Sequence, residues 1–280
     1  MFLCVLGLFV LLCQAQPLSA ASIPLPSEGL FWPYTDKPGF QPDDALNLLC
    51  LAESYPDIQG LEQADDGLWL VLRSGRRVLY AGERVGEHDY LDVDVRTSME
   101  QVYCCEPERP STPAGYAPGR RRCYGLLMGL YGGNAREVAH SLLSVHALGQ
   151  TWVFAPQAAR AFLRASAVIE QKLVLQPELA PWLKGSGTFH WRRIAGEKVL
   201  SAHAFGIAFD IGVERGATYW RWSRLSRHPL QQSFSPELVR AFEDEGFIWG
   251  GKWHEFDLMH FEYRPELICK AKRRARGQTP

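Results

Sequence analysis

Neither sign of charge is in excess in this chain of 280 residues: 30 Lys and Arg against 31 Asp and Glu leave a formal net charge of −1. That balance removes the global pull that nucleic acid and anionic membrane exert on basic proteins, so neither is an expected partner. The sequence also lacks a glycine period, a long heptad run, an internal repeat and any low-complexity tract. Collagen-like and coiled-coil classes are thereby excluded. Only one long apolar stretch occurs, which excludes a polytopic membrane protein. What is plentiful is material for a core: 46% hydrophobic residues, nine Trp among them, and only 22% charged. Disordered chains have the opposite balance, so one good-sized domain or two small ones should form.

The apolar stretch runs from Phe2 to Leu12, too short for the roughly 20 residues a spanning helix needs. With Leu18-Ser19-Ala20 behind it, it reads as a signal peptide over residues 1–20, removed to leave no stable membrane insertion. The basic flank of such peptides is missing, which leaves an uncleaved anchor or buried strand as the competing reading. Leu12 before Cys13 argues against a lipoprotein. Export, to the periplasm or beyond, implies an oxidising compartment. Five cysteines would remain there, an odd number, and Cys104 or Cys105 could close a loop with Cys123. Connectivity stays open. No Cys-x-x-Cys spacing marks a structural zinc or redox pair, and a thiol-dependent hydrolase fits an oxidising compartment poorly.

Residues 21–45 are rich in Pro and Gly and read as a loose leader. Residues 46–95 suggest small β elements, with Leu68–Leu72, a Ser74-Gly75 turn and Arg77–Tyr80 as a hairpin. Cys105 to Arg122 has the four prolines and four arginines of a linker, and Arg120 to Arg122 reads most simply as a solvated turn, with a ligand role as the other reading. Residues 21–125 thus form an N-terminal region, distinct from a domain over 126–268. In that domain Asn134 with Glu137 predicts a capping box opening a helix to about His146. Phe162, Ala165, Ile169 and Leu173 predict a helix over 156–175. Ser235, Pro236 and Gly246 bracket a third. Residues 269–280 read as a basic, frayed tail.

Chemistry concentrates between Phe189 and Tyr263. From Gly206 to Val213 the residues alternate: Ile207, Phe209, Ile211 and Val213 on one face, Gly206, Ala208, Asp210 and Gly212 on the other. A carboxylate on a face of tiny residues has room for an ion beside it, and a buried Asp needs a positive partner. His203 can fold back over that face, and His260 opens a second strand-like run, His260-Phe261-Glu262-Tyr263. Two imidazoles and one carboxylate make a three-ligand set that suits zinc with an open fourth position, the ligand count of a catalytic site. Asp257, three residues before His260, could act as general base. Ordinary core and surface roles for the same residues stay open on spacing alone.

Three segments carry a resemblance: Ser201-Ala202-His203-Ala204-Phe205-Gly206-Ile207-Ala208-Phe209-Asp210, then Gly250-Gly251-Lys252-Trp253, then Asp257-Leu258-Met259-His260-Phe261-Glu262. Together they resemble the zinc D-alanyl-D-alanine carboxypeptidase and endolysin superfamily. That group includes VanY-like carboxypeptidases and L-alanyl-D-glutamate endopeptidases, with the hedgehog signalling domain as a fold relative. The resemblance covers roughly residues 185–266. It implies an α+β fold, a small antiparallel sheet flanked by helices, with His203, Asp210 and His260 holding Zn2+ and Asp257 as base. Many relatives carry Glu at the base position, so the shorter Asp257 must sit closer to the metal. An arginine for the substrate carboxylate is also implied. Arg192 and Arg193, about ten residues before the first ligand, are the candidates, with surface charges as the other reading. Ser201 could bind substrate or shape the turn, Trp253 and Trp249 could line the cleft or fill the core, and Glu262 could support His260. The expected function is an exported zinc peptidase acting on peptidoglycan stem peptides, at D-Ala-D-Ala or at L-Ala-D-Glu. The absence of Gly-x-Ser-x-Gly and Ser-x-x-Lys motifs agrees with a mechanism lacking an acyl-enzyme. A non-catalytic, zinc-bearing wall- or peptide-binding module is the alternative.

Overall fold

Backbone hydrogen bonding organises the chain into two four-stranded antiparallel sheets and one hairpin, with helices around them. The computed structural model describes residues 22–24, 39–82, 90–106 and 112–278. The expected signal peptide lies outside the described residues, and among those described no helix is long and apolar enough to cross a membrane. The architecture is α+β, as the resemblance implies.

The first sheet orders β1 (Ser22–Pro24), β2 (Ile58–Ala64), β3 (Gly67–Leu72) and β4 (Arg77–Gly82) side by side. Leu68, Leu70 and Leu72 alternate inward along β3, which fixes its register in the expected hairpin. Two expectations fail here. Ser22–Pro24, placed in a loose leader, pairs with β2, and the stretch after Ala45 is helical rather than β. The helix, α1 (Asp44–Ser54), buries Leu46, Leu48, Leu49 and Leu51, an apolar run too dense to show a helical period. A short helix, α2 (Val95–Ser98), follows the sheet, capped by Asp94, whose carboxylate accepts from the Thr97 amide at 2.7 Å.

The second half runs through α3 (Tyr124–Tyr131), α4 (Ala135–Ser141), β5 (Leu143–Ala147), β6 (Gln150–Phe154) and α5 (Pro156–Leu175). It continues with β7 (Gly185–Ser186), β8 (Ala208–Ile211), α6 (Leu230–Ser233), α7 (Pro236–Asp244), β9 (Phe247–Trp249), β10 (His260–Tyr263) and α8 (Pro265–Ala275). The helices over 156–175 and after Ser235 form as expected. The capping box at Asn134 is real, with Asn134 Oδ1 accepting from the Arg136 and Glu137 amides, both at 3.1 Å. Its helix nevertheless stops at Ser141, because Leu143–Ala147 pairs with β6 and takes His146 into a strand.

The second sheet has the order β7-β8-β10-β9. Phe209 on β8 is the hub of its inner face, with ring centroids 5.0 Å from Phe162, 4.9 Å from Phe242 and 5.2 Å from Phe261. Burying aromatic rings of this size dominates core energetics, and it holds β8 and β10 rigidly in place. The alternation predicted along this strand ends early: Gly212 turns the chain with φ +79° and leaves Val213 exposed.

The basic tail is the largest revision. Lys270 is buried, donates to the Met99 carbonyl at 2.8 Å and pairs with Asp43 at 3.1 Å. Arg273 reaches Glu53 at 2.5 Å, Arg274 pairs with Asp43, and a disulfide joins Cys50 on α1 to Cys269 on α8. Cys104 and Cys105 are free thiols, so neither bridges to Cys123. The pattern hid this because a helix buried by partners distant in sequence looks, residue by residue, like a charged tail. Arg120 and Arg122, expected in a solvated turn, are 5% and 3% exposed. Their partners also come from far along the chain.

Candidate metal centre

β8 and β10 pair antiparallel with His260 opposite Asp210, which brings the carboxylate and one imidazole together by register alone. The second imidazole comes from a 3-10 turn, Ala202–Phe205, closed by Gly206 at φ +64°. A Cβ on Gly206 would approach the Leu142 Cδ2 methyl to 2.5 Å, a contact that side chain can relieve, so it is the left-handed backbone that calls for glycine. His203 Nδ1 faces the Thr188 carbonyl at 3.0 Å, which turns Nε2 toward Asp210. The mirror arrangement holds for His260: Nε2 lies 3.4 Å from Glu262 Oε2 and Nδ1 faces Asp210.

Asp210 Oδ1 lies 3.2 Å from His203 Nε2 and 3.4 Å from His260 Nδ1. Ideal tetrahedral zinc with bonds of about 2.0–2.1 Å would set its ligand atoms roughly 3.3 Å apart. One ligand atom from each residue lies within 4.8 Å of the others, and among the described residues this is the group that could hold a metal ion. Donor types, spacing and the outward partner of each ring all fit such an ion. Residues 195–263 match the family model for D-alanyl-D-alanine carboxypeptidase. The resemblance drawn from the three motifs is borne out over that segment. No curated protein and no solved structure matches the chain.

The segment matched by the family model contributes all three of these residues and Asp257, and it lines much of a narrow cleft above them. Burial opposes charge on Asp210, yet the two imidazoles hold its pKa below the usual carboxylate range. Burial also opposes protonation of His260, but Asp210 and Glu262 carry it up to about 9. These groups are therefore arranged around positive charge. Asp257 differs: burial, reinforced by the nearby Asp210 charge, pushes it up to about 6 although His260 and Arg120 pull the other way. Its backbone amide donates to Gly250 at 3.0 Å, and a Cβ on Gly250 would lie 3.0 Å from Asp257 Cβ. The Gly-Gly segment thus lets Asp257 approach the cleft floor.

Of the residues expected to bind substrate, Ser201, Trp253 and Arg192 line the cleft. Arg193 lies off it and is exposed. Trp253 is core and wall at once: its ring stands 5.9 Å from His260, and its Nε1 donates to the Pro118 carbonyl at 2.9 Å. Trp249 is wholly buried, while His254 is exposed.

The cleft also holds a residue that spacing did not reveal. Arg120 lines it beside Asp257 and Tyr219, donating from Nη2 to the Tyr219 hydroxyl at 2.7 Å. Its guanidinium stacks 5.5 Å from the Tyr219 ring centre and 5.9 Å from that of Trp253. Arg120 Nε has no hydrogen-bond partner among the described residues, and the Glu255 carboxylate stands 3.9 Å away. A buried donor left in this state is costly unless something else accepts from it. The Pro- and Arg-rich composition around it was the one available signal, and it pointed to a linker instead.

Proposed function

We propose that this chain is an exported zinc peptidase that cleaves peptidoglycan stem peptides, as a D-Ala-D-Ala carboxypeptidase or an L-Ala-D-Glu endopeptidase. The observation that carries this reading is the convergence of His203, Asp210 and His260 beneath a cleft that also receives Asp257 and Arg120. The family match supplies the substrate class, since D-alanyl-D-alanine is a peptidoglycan terminus. Export is supported by the apolar run Phe2–Leu12 and by the Cys50–Cys269 disulfide, which suits an oxidising compartment.

His203 Nε2, Asp210 Oδ1 and His260 Nδ1 would hold the ion at the cleft. Zinc, when bound, supplies Lewis-acid polarisation of the scissile carbonyl and a lowered pKa for water. Asp257, on the same cleft, would take a proton from the attacking water and return it to the leaving amine. A base with a pKa nearer neutrality is better matched to both halves of that transfer than an ordinary Asp. Arg120 would hold a peptide carboxylate, a reading supported by its place on the cleft and by a buried Nε that makes no hydrogen bond among the described residues. Arg192 stands at the exposed edge of the same cleft and can add charge there. Trp253 and Tyr219 bound the cleft and fix the Arg120 plane.

Incubating the purified, zinc-loaded chain with stem peptides, followed by mass analysis, tests the reading. Loss of a terminal D-Ala or scission between L-Ala and D-Glu is the expected result, and the product masses name the bond. Intact peptides after prolonged incubation with a protein that has taken up one zinc would rule out the hydrolytic role.

A further inference from the structure

We infer that Arg122, outside the family-matched segment, is a positioning residue that fixes the His260 ring through Glu262 and, with the same guanidinium, fixes the backbone of Arg120. The inference rests on the metal-centre reading above. Glu262 is fully buried two residues beyond His260 on β10. Its two oxygens accept from Arg122, Nε to Oε1 at 2.9 Å and Nη2 to Oε2, a bidentate pair. Oε2 is also the oxygen that faces His260 Nε2 at 3.4 Å. That separation is long for a hydrogen bond, but an acceptor carrying full charge still orients an imidazole. The Nε2 edge of the ring is thereby held against Glu262, and Nδ1 is left facing Asp210. Carboxylates behind metal-binding histidines act in this way, setting both tautomer and ring angle.

The third guanidinium nitrogen does separate work. Arg122 Nη1 donates to the Arg120 carbonyl at 3.0 Å, so the backbone that presents Arg120 to the cleft hangs on the same group. Arg122 is itself delivered by a strand-like pairing, its amide donating to the Leu91 carbonyl at 2.8 Å and its carbonyl accepting from the Val93 amide at 3.0 Å. Arg264 also stands near Glu262, at 3.5 Å, but its shorter bonds go to Glu266 at 2.5 Å and the Gly119 carbonyl at 3.0 Å. Arg122 is therefore the principal partner of Glu262. A fully desolvated charge pair is seldom better for stability than apolar side chains of similar volume. Holding two functional groups in register is a role that apolar side chains could not fill.

The test uses the full chain stripped of metal and titrated with Zn2+, then with Co2+ so that the visible spectrum reports ligand geometry. Glu262→Gln preserves volume and should keep the fold, yet it removes the charge behind His260. We expect cation affinity to fall about 10–100-fold with an altered Co2+ spectrum, the usual range when such a partner is lost. Arg122→Met should do the same, and Arg122→Lys should recover part of the affinity by restoring one bond. If Arg122→Met does not fold, Glu262→Gln and Arg122→Lys decide the matter. Wild-type affinity and spectrum in both of those variants would overturn the inference while leaving the metal centre intact. A wild-type chain that takes up no cation would instead remove the parent reading, and this inference with it.

Discussion

Two stretches of chain meet at the cleft, and they place functional side chains by different means. Residues 195–263 do so through regular backbone. Strand register sets His260 against Asp210, a glycine-closed turn sets His203, and the Gly250 turn sets Asp257. Among the described residues of 91–122, α2 is the one helix, and Arg120 and Arg122 are held through tertiary partners: Tyr219, Glu262 and the carbonyls nearby. The comparison teaches that the first stretch positions its side chains largely through its own backbone, whereas the second depends on partners distant in sequence.

The hardest test of the first stretch is Asp257→Ala. Removing a general base should lower kcat about 10²–10⁴-fold. Zinc content should stay at one per chain, because Asp257 lies outside the ligand group. Turnover of stem peptides and bound zinc, measured on the same preparation, separate the roles. Undiminished turnover would strip Asp257 of its part, and an unaltered peptide-binding constant with no turnover even in wild type would favour the non-catalytic alternative.

Arg120→Lys probes the second stretch and should act more mildly. It keeps the charge but removes the planar donor array that a carboxylate engages in pairs. Hydrogen bonds to charged groups contribute about 1.5–3 kcal/mol, so kcat/KM should fall roughly 10–100-fold, with zinc affinity unchanged. Competition between a stem peptide and its C-terminal amide gives a sharper reading. Wild type should prefer the free carboxylate, and the lysine variant should lose most of that preference if Arg120 holds it.

The same contrast explains what was legible in the sequence. Spacing along β8 and β10 and one glycine turn brought Asp210, His260 and His203 forward as candidates, because a period of two translates directly into position, and the family resemblance singled them out. The helices at Pro156 and Ser235 were legible for a like reason: their caps and apolar faces are local. Helix α1 was not, since Leu46 to Leu51 bury nearly all round, and a short apolar run does not distinguish helix from strand. The tail is not legible because Lys270 and Arg274 both pair with Asp43, more than two hundred residues away. Arg120 and Arg122 were hidden in the same manner. Composition sees four arginines among prolines; only the fold supplies Glu262 and Tyr219.

The smallest effect expected is also the one that settles the original assignment of the substrate arginine. Arg192 and Arg193 are neighbours of equal charge, so sequence treats them alike, while the fold puts only the first at the cleft. Arg192 is exposed there and donates from Nη1 to the Arg193 carbonyl at 3.3 Å, a geometry that water competes with. An exposed charge near a bound carboxylate is screened and contributes about 0–1 kcal/mol. Arg192→Ala should therefore raise KM no more than about fivefold with kcat held. Arg193→Ala should change neither constant beyond error. Equal losses from both would mean that residues 190–200 act through their summed field rather than by contact, and that effect should vanish as salt is raised. A loss from Arg192→Ala as deep as that from Arg120→Lys would move the carboxylate site to the cleft's outer edge and make Arg120 a structural brace.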